Sequence, residues 1–155
     1  MNTYTIVKVI HVISATILFG TGLGIAFFKW IVDRSGNVAA IRVVSERAVV
    51  ADWVFTTPAI VVQFGSGVYL ALAAGFPLTH GWLFCAIVLF FVAGACWIPV
   101  VALQIRMRDL ARRAHDEGTV LPDRYWRDAR LWFWLGVPAF GSIVVIYWLM
   151  VAKPF

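Results

Sequence analysis

One histidine stands inside the first long apolar stretch of the chain, and it is the side chain there with the most chemistry to offer. If residues 4–28 form a helix, His11, Ala15, Leu18 and Gly22 fall on one stripe, with Lys8 one turn before His11. The small residues below the imidazole leave an open groove. A neutral imidazole facing such a groove can ligate a flat macrocycle such as haem. The same pattern also describes a histidine hydrogen-bonded to a neighbouring helix, with Ala and Gly simply allowing close packing. A second polar stripe, Asp52, Thr56, Gln63 and Gly67, runs along the second apolar stretch, and Gln104 lies on the third. Polar groups are costly in hydrocarbon, so these residues should face the interior of whatever bundle they form. Gln63 falls near mid-membrane, where its amide needs a partner. Asp52 is expected to pair with an arginine such as Arg106.

Other chemistries find little footing. His, Cys and carboxylate residues do not cluster at zinc-ligand spacing. Met1, Met107 and Met150 make no soft copper-binding stripe. There is no Ser-His-Asp pattern and no phosphate-cradling glycine loop. Only His11 and His80 could approach the outer half of a membrane, so a six-coordinate haem within one chain would need His80 or a ligand such as Lys8. Cys85 and Cys96 share a helix face but stand roughly 16 Å apart along its axis. That is too far for a disulfide, and both read as small apolar fillers.

The elements that position these residues follow from hydropathy. The chain has 155 residues, 62% hydrophobic and 14% charged. A soluble domain carries about 25% charge, and one this small has too little interior to hide the excess apolar side chains. Four stretches, about 4–28, 53–75, 82–105 and 132–152, are long enough to cross a bilayer. Unpaired backbone is excluded from hydrocarbon, so they should be helices. The expected fold is an all-α integral membrane four-helix bundle, one transmembrane domain over residues 1–155. The first stretch reads as a retained span rather than a cleaved signal.

Arginines concentrate in the first and third connections, 29–52 and 106–131, and are absent from the second. The positive-inside rule then predicts cytoplasmic loops 29–52 and 106–131, with both termini outside. Trp82, Tyr147 and Trp148 suit an outer aromatic belt, and Trp30, Trp53, Trp132 and Trp134 an inner one. The net charge of +5 comes from these loops and is no sign of nucleic-acid binding. The loops should be partly helical. Asn37 can cap a segment through Val38, Ile41, Val44 and Ala48 that runs on into the second span. Residues 106–115 extend the third, before a turn at Gly118 and Pro122. Thr57-Pro58 predicts a kink whose freed carbonyl a threonine hydroxyl can satisfy, and Pro99 and Pro138 predict two more irregular helices. Gly20-x-x-x-Gly24, opposite the His11 stripe, suits close helix contact within the bundle or with another copy in a homo-oligomer.

Four segments carry a resemblance: KVIHVISATILFGTGLGIAFF, ADWVFTTPAIVVQFGSGVYL, WIPVVALQIRMRDLA and YWLMVAKP. In this order, over nearly the whole chain, they resemble a bacterial family of predicted integral membrane proteins, domain of unknown function 2269. That resemblance implies a four-helix fold in the bacterial inner (plasma) membrane and names no activity. More distantly, the family is similar to the group holding membrane-type protoporphyrinogen oxidase and the copper-resistance D domain. There a first-helix histidine is linked to haem, and His11 occupies a comparable place. Two readings follow. In one, His11 ligates a b-type haem (haem b) as the iron ligand, Lys8 and Lys153 meet its propionates, Gly22 gives the ring room, and electrons pass to or from a quinone. In the other, the protein is a non-enzymatic accessory subunit of a membrane protein partner or a small ion or solute carrier. His11, Asp52, Thr56, Gln63 and Gln104 then serve as internal hydrogen-bonding groups or a polar path.

Overall fold

The computed structural model describes residues 2–154, so Met1 and Phe155 lie outside the described residues. The elements are α1 (Thr3–Ser35), α2 (Val38–Ala51), a π-helical turn (Asp52–Thr56), α3 (Thr57–Ala73), α4 (Gly81–Asp116) and α5 (Asp123–Ala152). The helix over Val38–Ala73 is continuous through the π-turn, and the chain thus has four helices long and apolar enough to cross a membrane.

Local chemistry sets the ends. Asn2 caps α1 by accepting from the Tyr4 N–H at 3.2 Å. Gly36, at φ 63°, closes it in the left-handed region that side chains avoid. One residue later Asn37 accepts from the Ala40 N–H at 3.1 Å and starts α2, as its type predicts. The second helix then meets Pro58, which has no N–H to donate. The chain answers with the wider turn. The Thr57 N–H bonds to the Asp52 carbonyl five residues back, and the Thr57 hydroxyl donates to the same oxygen at 2.9 Å. This oxygen is not the carbonyl that Pro58 frees four or five residues back, on Val54 or Trp53, so the expected threonine rescue does not form and the proline is accommodated by the π-turn itself. In α5 the Ser142 hydroxyl donates to the Pro138 carbonyl at 2.8 Å.

The helices form two pairs. α1 lies along α3 and α4 along α5, while α2 crosses to α4. Between the pairs, α1 and α5 meet mainly through Phe19, whose ring is 5.7 Å from those of Phe140 and Tyr147. α3 meets α4 through stacked Phe64 and Phe90, also 5.7 Å apart. Two apolar clusters close the ends. Ile41, Leu103, Met107, Ala111, Leu121 and Tyr125 fill the arginine-rich end. Ala71, Trp82, Leu83, Ala86 and Leu149 fill the other. Outward-facing apolar side chains are left bare, with Val61 69%, Ile98 68% and Trp134 67% exposed. Such surfaces are stable against lipid and not against water.

The arginine-rich end is pinned by a buried charge. Lys29 is 2% exposed. Its ammonium donates to Asp33 at 2.9 Å and to the Tyr125 hydroxyl at 2.7 Å, and Tyr125 donates to Asp33 at 2.6 Å. This closed triangle ties α1 to α5 where they are otherwise barely in contact. The expected Asp52–Arg106 pair does not form. Arg106 instead reaches Asp128 at 3.0 Å, because α5 begins nine residues before its apolar stretch and brings Asp128 alongside α4. Asp33→Ala leaves the buried ammonium without a counter-charge and should cost about 3 kcal/mol. Tyr125→Phe keeps the ion pair and should cost about 1 kcal/mol. Thermal unfolding of both variants in one detergent checks this order, and a reversed order contradicts it.

Candidate functional site

The site grows from the facing surfaces of α1 and α3. Gln63 donates an amide N–H to His11 Nε2 at 3.1 Å. An amide nitrogen only donates, so Nε2 accepts and the imidazole proton sits on Nδ1. Nδ1 then donates to Ser66 Oγ at 2.9 Å, and the Ser66 hydroxyl passes its own proton to the Val62 carbonyl. On the other side the Ser14 hydroxyl donates to Gln63 Oε1. Every member of this chain is satisfied, and it stitches α1 to α3. Gly67 allows the approach: a Cβ there would stand 3.1 Å from His11 Cε1.

The residues expected to hold haem do not fit it as they stand. Both ring nitrogens of His11 are engaged within the chain. Lys8 is exposed. The room beside Gly22 is taken by the Phe140 ring, 3.0 Å from where a Cβ would lie. Among the described residues no group of three or more His, Cys, Asp or Glu could hold a metal ion. His80 precedes the first turn of α4, exposed, beside Thr79.

A different feature dominates the interior. Between the two helix pairs lies a half-open cavity of about 660 Å³, walled almost wholly by apolar atoms. Small residues give it room: Ala15 on α1, Gly94 on α4, Gly136 on α5. Aromatic rings, among them Phe90, Trp97, Trp132, Phe140 and Tyr147, make up much of the rest. Of the residues singled out in the sequence, Gly22, Asp52, Thr56, Gln63 and Gln104 all line this one space. His11 joins only through Gln63.

The few polar atoms on these walls are unusual. Asp52 is 5% exposed and Gln104 4%. Thr56 donates to Asp52 Oδ1 at 2.8 Å, and the Gln104 side chain faces the same carboxyl. Yet Asp52 Oδ2, Gln104 Oε1 and the indole nitrogens of Trp97 and Trp132 have no hydrogen-bond partner. A buried polar atom left unpaired costs roughly 1–3 kcal/mol, and such atoms mark strain or a missing ligand. All four belong to residues lining one cavity, which favours the second explanation. Trp97 was not singled out in the sequence, and Trp132 was expected only in an inner aromatic belt. The available signal was that Trp97 precedes Gln104 by seven residues and so shares its helix face.

The chain matches no curated protein significantly, and no solved structure either. Residues 5–154 match the family described as predicted integral membrane protein, domain of unknown function 2269. With nearly its whole length matched and four membrane-length apolar helices, the chain belongs to this family of integral membrane proteins.

Proposed function

We propose that the protein binds a small, largely apolar molecule inside the bilayer, acting as a membrane carrier or accessory binding subunit. The observation that carries this reading is that four residues lining an otherwise apolar cavity each hold a buried polar atom without a hydrogen-bond partner. Ligand sites have this make-up: mostly hydrophobic and aromatic walls, with a few polar groups that fix orientation. Its volume of about 660 Å³ suits a molecule of a few rings. The route in is lateral. Phe91, Ile98, Phe133 and Val137 line the cavity and are exposed on the outer surface of the bundle. A ligand dissolved among acyl chains can therefore reach the cavity without crossing water.

In this reading the His11–Gln63–Ser14–Ser66 chain is a fastener between α1 and α3. It also holds Gln63, a wall residue, in place. A b-type haem on His11 draws no comparable support, since the imidazole has no nitrogen to spare. The absorption spectrum of purified protein from haem-replete cells separates the two. We expect no Soret band before or after dithionite. A Soret band that disappears in folded His11→Ala protein would reverse this conclusion.

Binding itself is tested by equilibrium dialysis of nanodisc-embedded protein against two fluorescent probes, 1-naphthylmethanol and 1-naphthylmethylamine. At least one should bind saturably, beyond its partition into empty nanodiscs. A Cβ at Gly94 meets nothing within 4 Å, so Gly94→Leu can project into the space and should weaken saturable binding by about tenfold while the protein still folds. Purely linear uptake of both probes contradicts the reading.

A further inference from the structure

The cavity's polar groups also indicate the chemistry of the occupant, an inference that rests on the binding reading above. From them we infer that the cavity selects a lipophilic cation, an ammonium group on an aromatic or aliphatic body, with Asp52 as its counter-ion.

Asp52 is the deciding residue. It lies where α2 passes into the π-turn, buried in the cavity lining, with one carboxyl oxygen bonded to Thr56 and the other without a partner. Among the described residues no Lys, Arg or His is in ion-pair contact with it. The cations that might have served are committed elsewhere: Lys29 to Asp33, and Arg106 to Asp128. A buried carboxylate needs a compensating charge, or it must take up a proton. An ammonium entering the cavity supplies that charge.

The neighbouring groups point the same way. Gln104, whose amide N–H group faces the carboxyl, carries a second buried acceptor without a partner in Oε1. The walls are rich in aromatic rings, which attract cations through their π-faces as well as packing against apolar groups. The indole N–H groups of Trp97 and Trp132 are donors and do not contact the ammonium. Trp97 stands two turns from Gln104, about 10 Å along the helix, where it can meet an oxygen at the far end of the ligand. A neutral quinone offers carbonyls to the two indoles but leaves Asp52 Oδ2 and Gln104 Oε1 unmet. The cation accounts for the more deeply buried pair.

The test uses nanodisc-embedded protein and three probes with the same two-ring body: 1-naphthylmethylamine, protonated at neutral pH, 1-naphthylmethanol, and 2,3-dimethyl-1,4-naphthoquinone. The amine should bind about tenfold more tightly than either neutral probe, as expected for one buried charge pair. Asp52→Asn should abolish that preference, read as the ratio of amine to alcohol affinity within each protein. Equal affinities, or tighter binding of the quinone, overturn cation selection while leaving the cavity as a binding site. No saturable binding of any probe overturns both. Should Asp52→Asn fail to fold, the wild-type preference still decides, and Gln104→Met should reduce it.

Discussion

Hydrocarbon offers a polar atom nothing to bond to, and the structure is organised around that one constraint. Each hydrophilic group in a helix of this chain must find a partner in the protein or lose roughly 1–3 kcal/mol. Most find one. The imidazole of His11 is satisfied on both nitrogens. Tyr147 donates to the Ala15 carbonyl at 2.8 Å. The Thr57 and Ser142 hydroxyls donate to the carbonyls of Asp52 and Pro138. Against that background, buried polar atoms without partners on four residues of one cavity lining are what gives the interior a functional meaning.

The cavity exists because the helices pair two by two and are fastened at their ends. At the arginine-rich end the Lys29–Asp33–Tyr125 triangle and the Met107 cluster hold α1, α2, α4 and α5 together. At the other end Trp82 and Leu149 close the gap, and Lys153 rests 5.3 Å over the Phe76 ring. Between these fastenings the facing positions are small residues, so the pairs leave a space instead of interlocking. An empty cavity forfeits dispersion contacts along its whole lining. A bound molecule recovers them, and so stabilises the protein in proportion to its affinity and concentration.

Much of the fold was legible in the sequence, because apolar runs of membrane length have few other uses. The continuation of the first loop into the second span and the extension of α4 through residue 116 were also readable, from Asn37 and from helical spacing. The early start of α5 was not, since residues 123–131 alternate charges that hydropathy treats as loop. That miss explains the wrong partner assigned to Arg106. The burial of Lys29 was likewise hidden: a lysine beside Trp30 at the end of a span reads as a loop cation until Tyr125 is known to face it. The polar stripes were expected to face inward, and Asp52, Thr56 and Gln104 are buried, yet a cavity is a property of gaps between helices distant in sequence. Nothing local announces that Trp97 and Trp132 keep their N–H groups free.

The most direct measurement is the set of indole ¹H–¹⁵N resonances of nanodisc-embedded protein titrated with 1-naphthylmethylamine. The chain has eight tryptophans, so the free signals can be assigned by single Trp→Phe replacements. The account predicts that the Trp97 and Trp132 signals shift saturably while those of lipid-facing Trp30 and Trp148 stay put. Uniform small shifts across all eight, or no shift at Trp97 and Trp132, would contradict it.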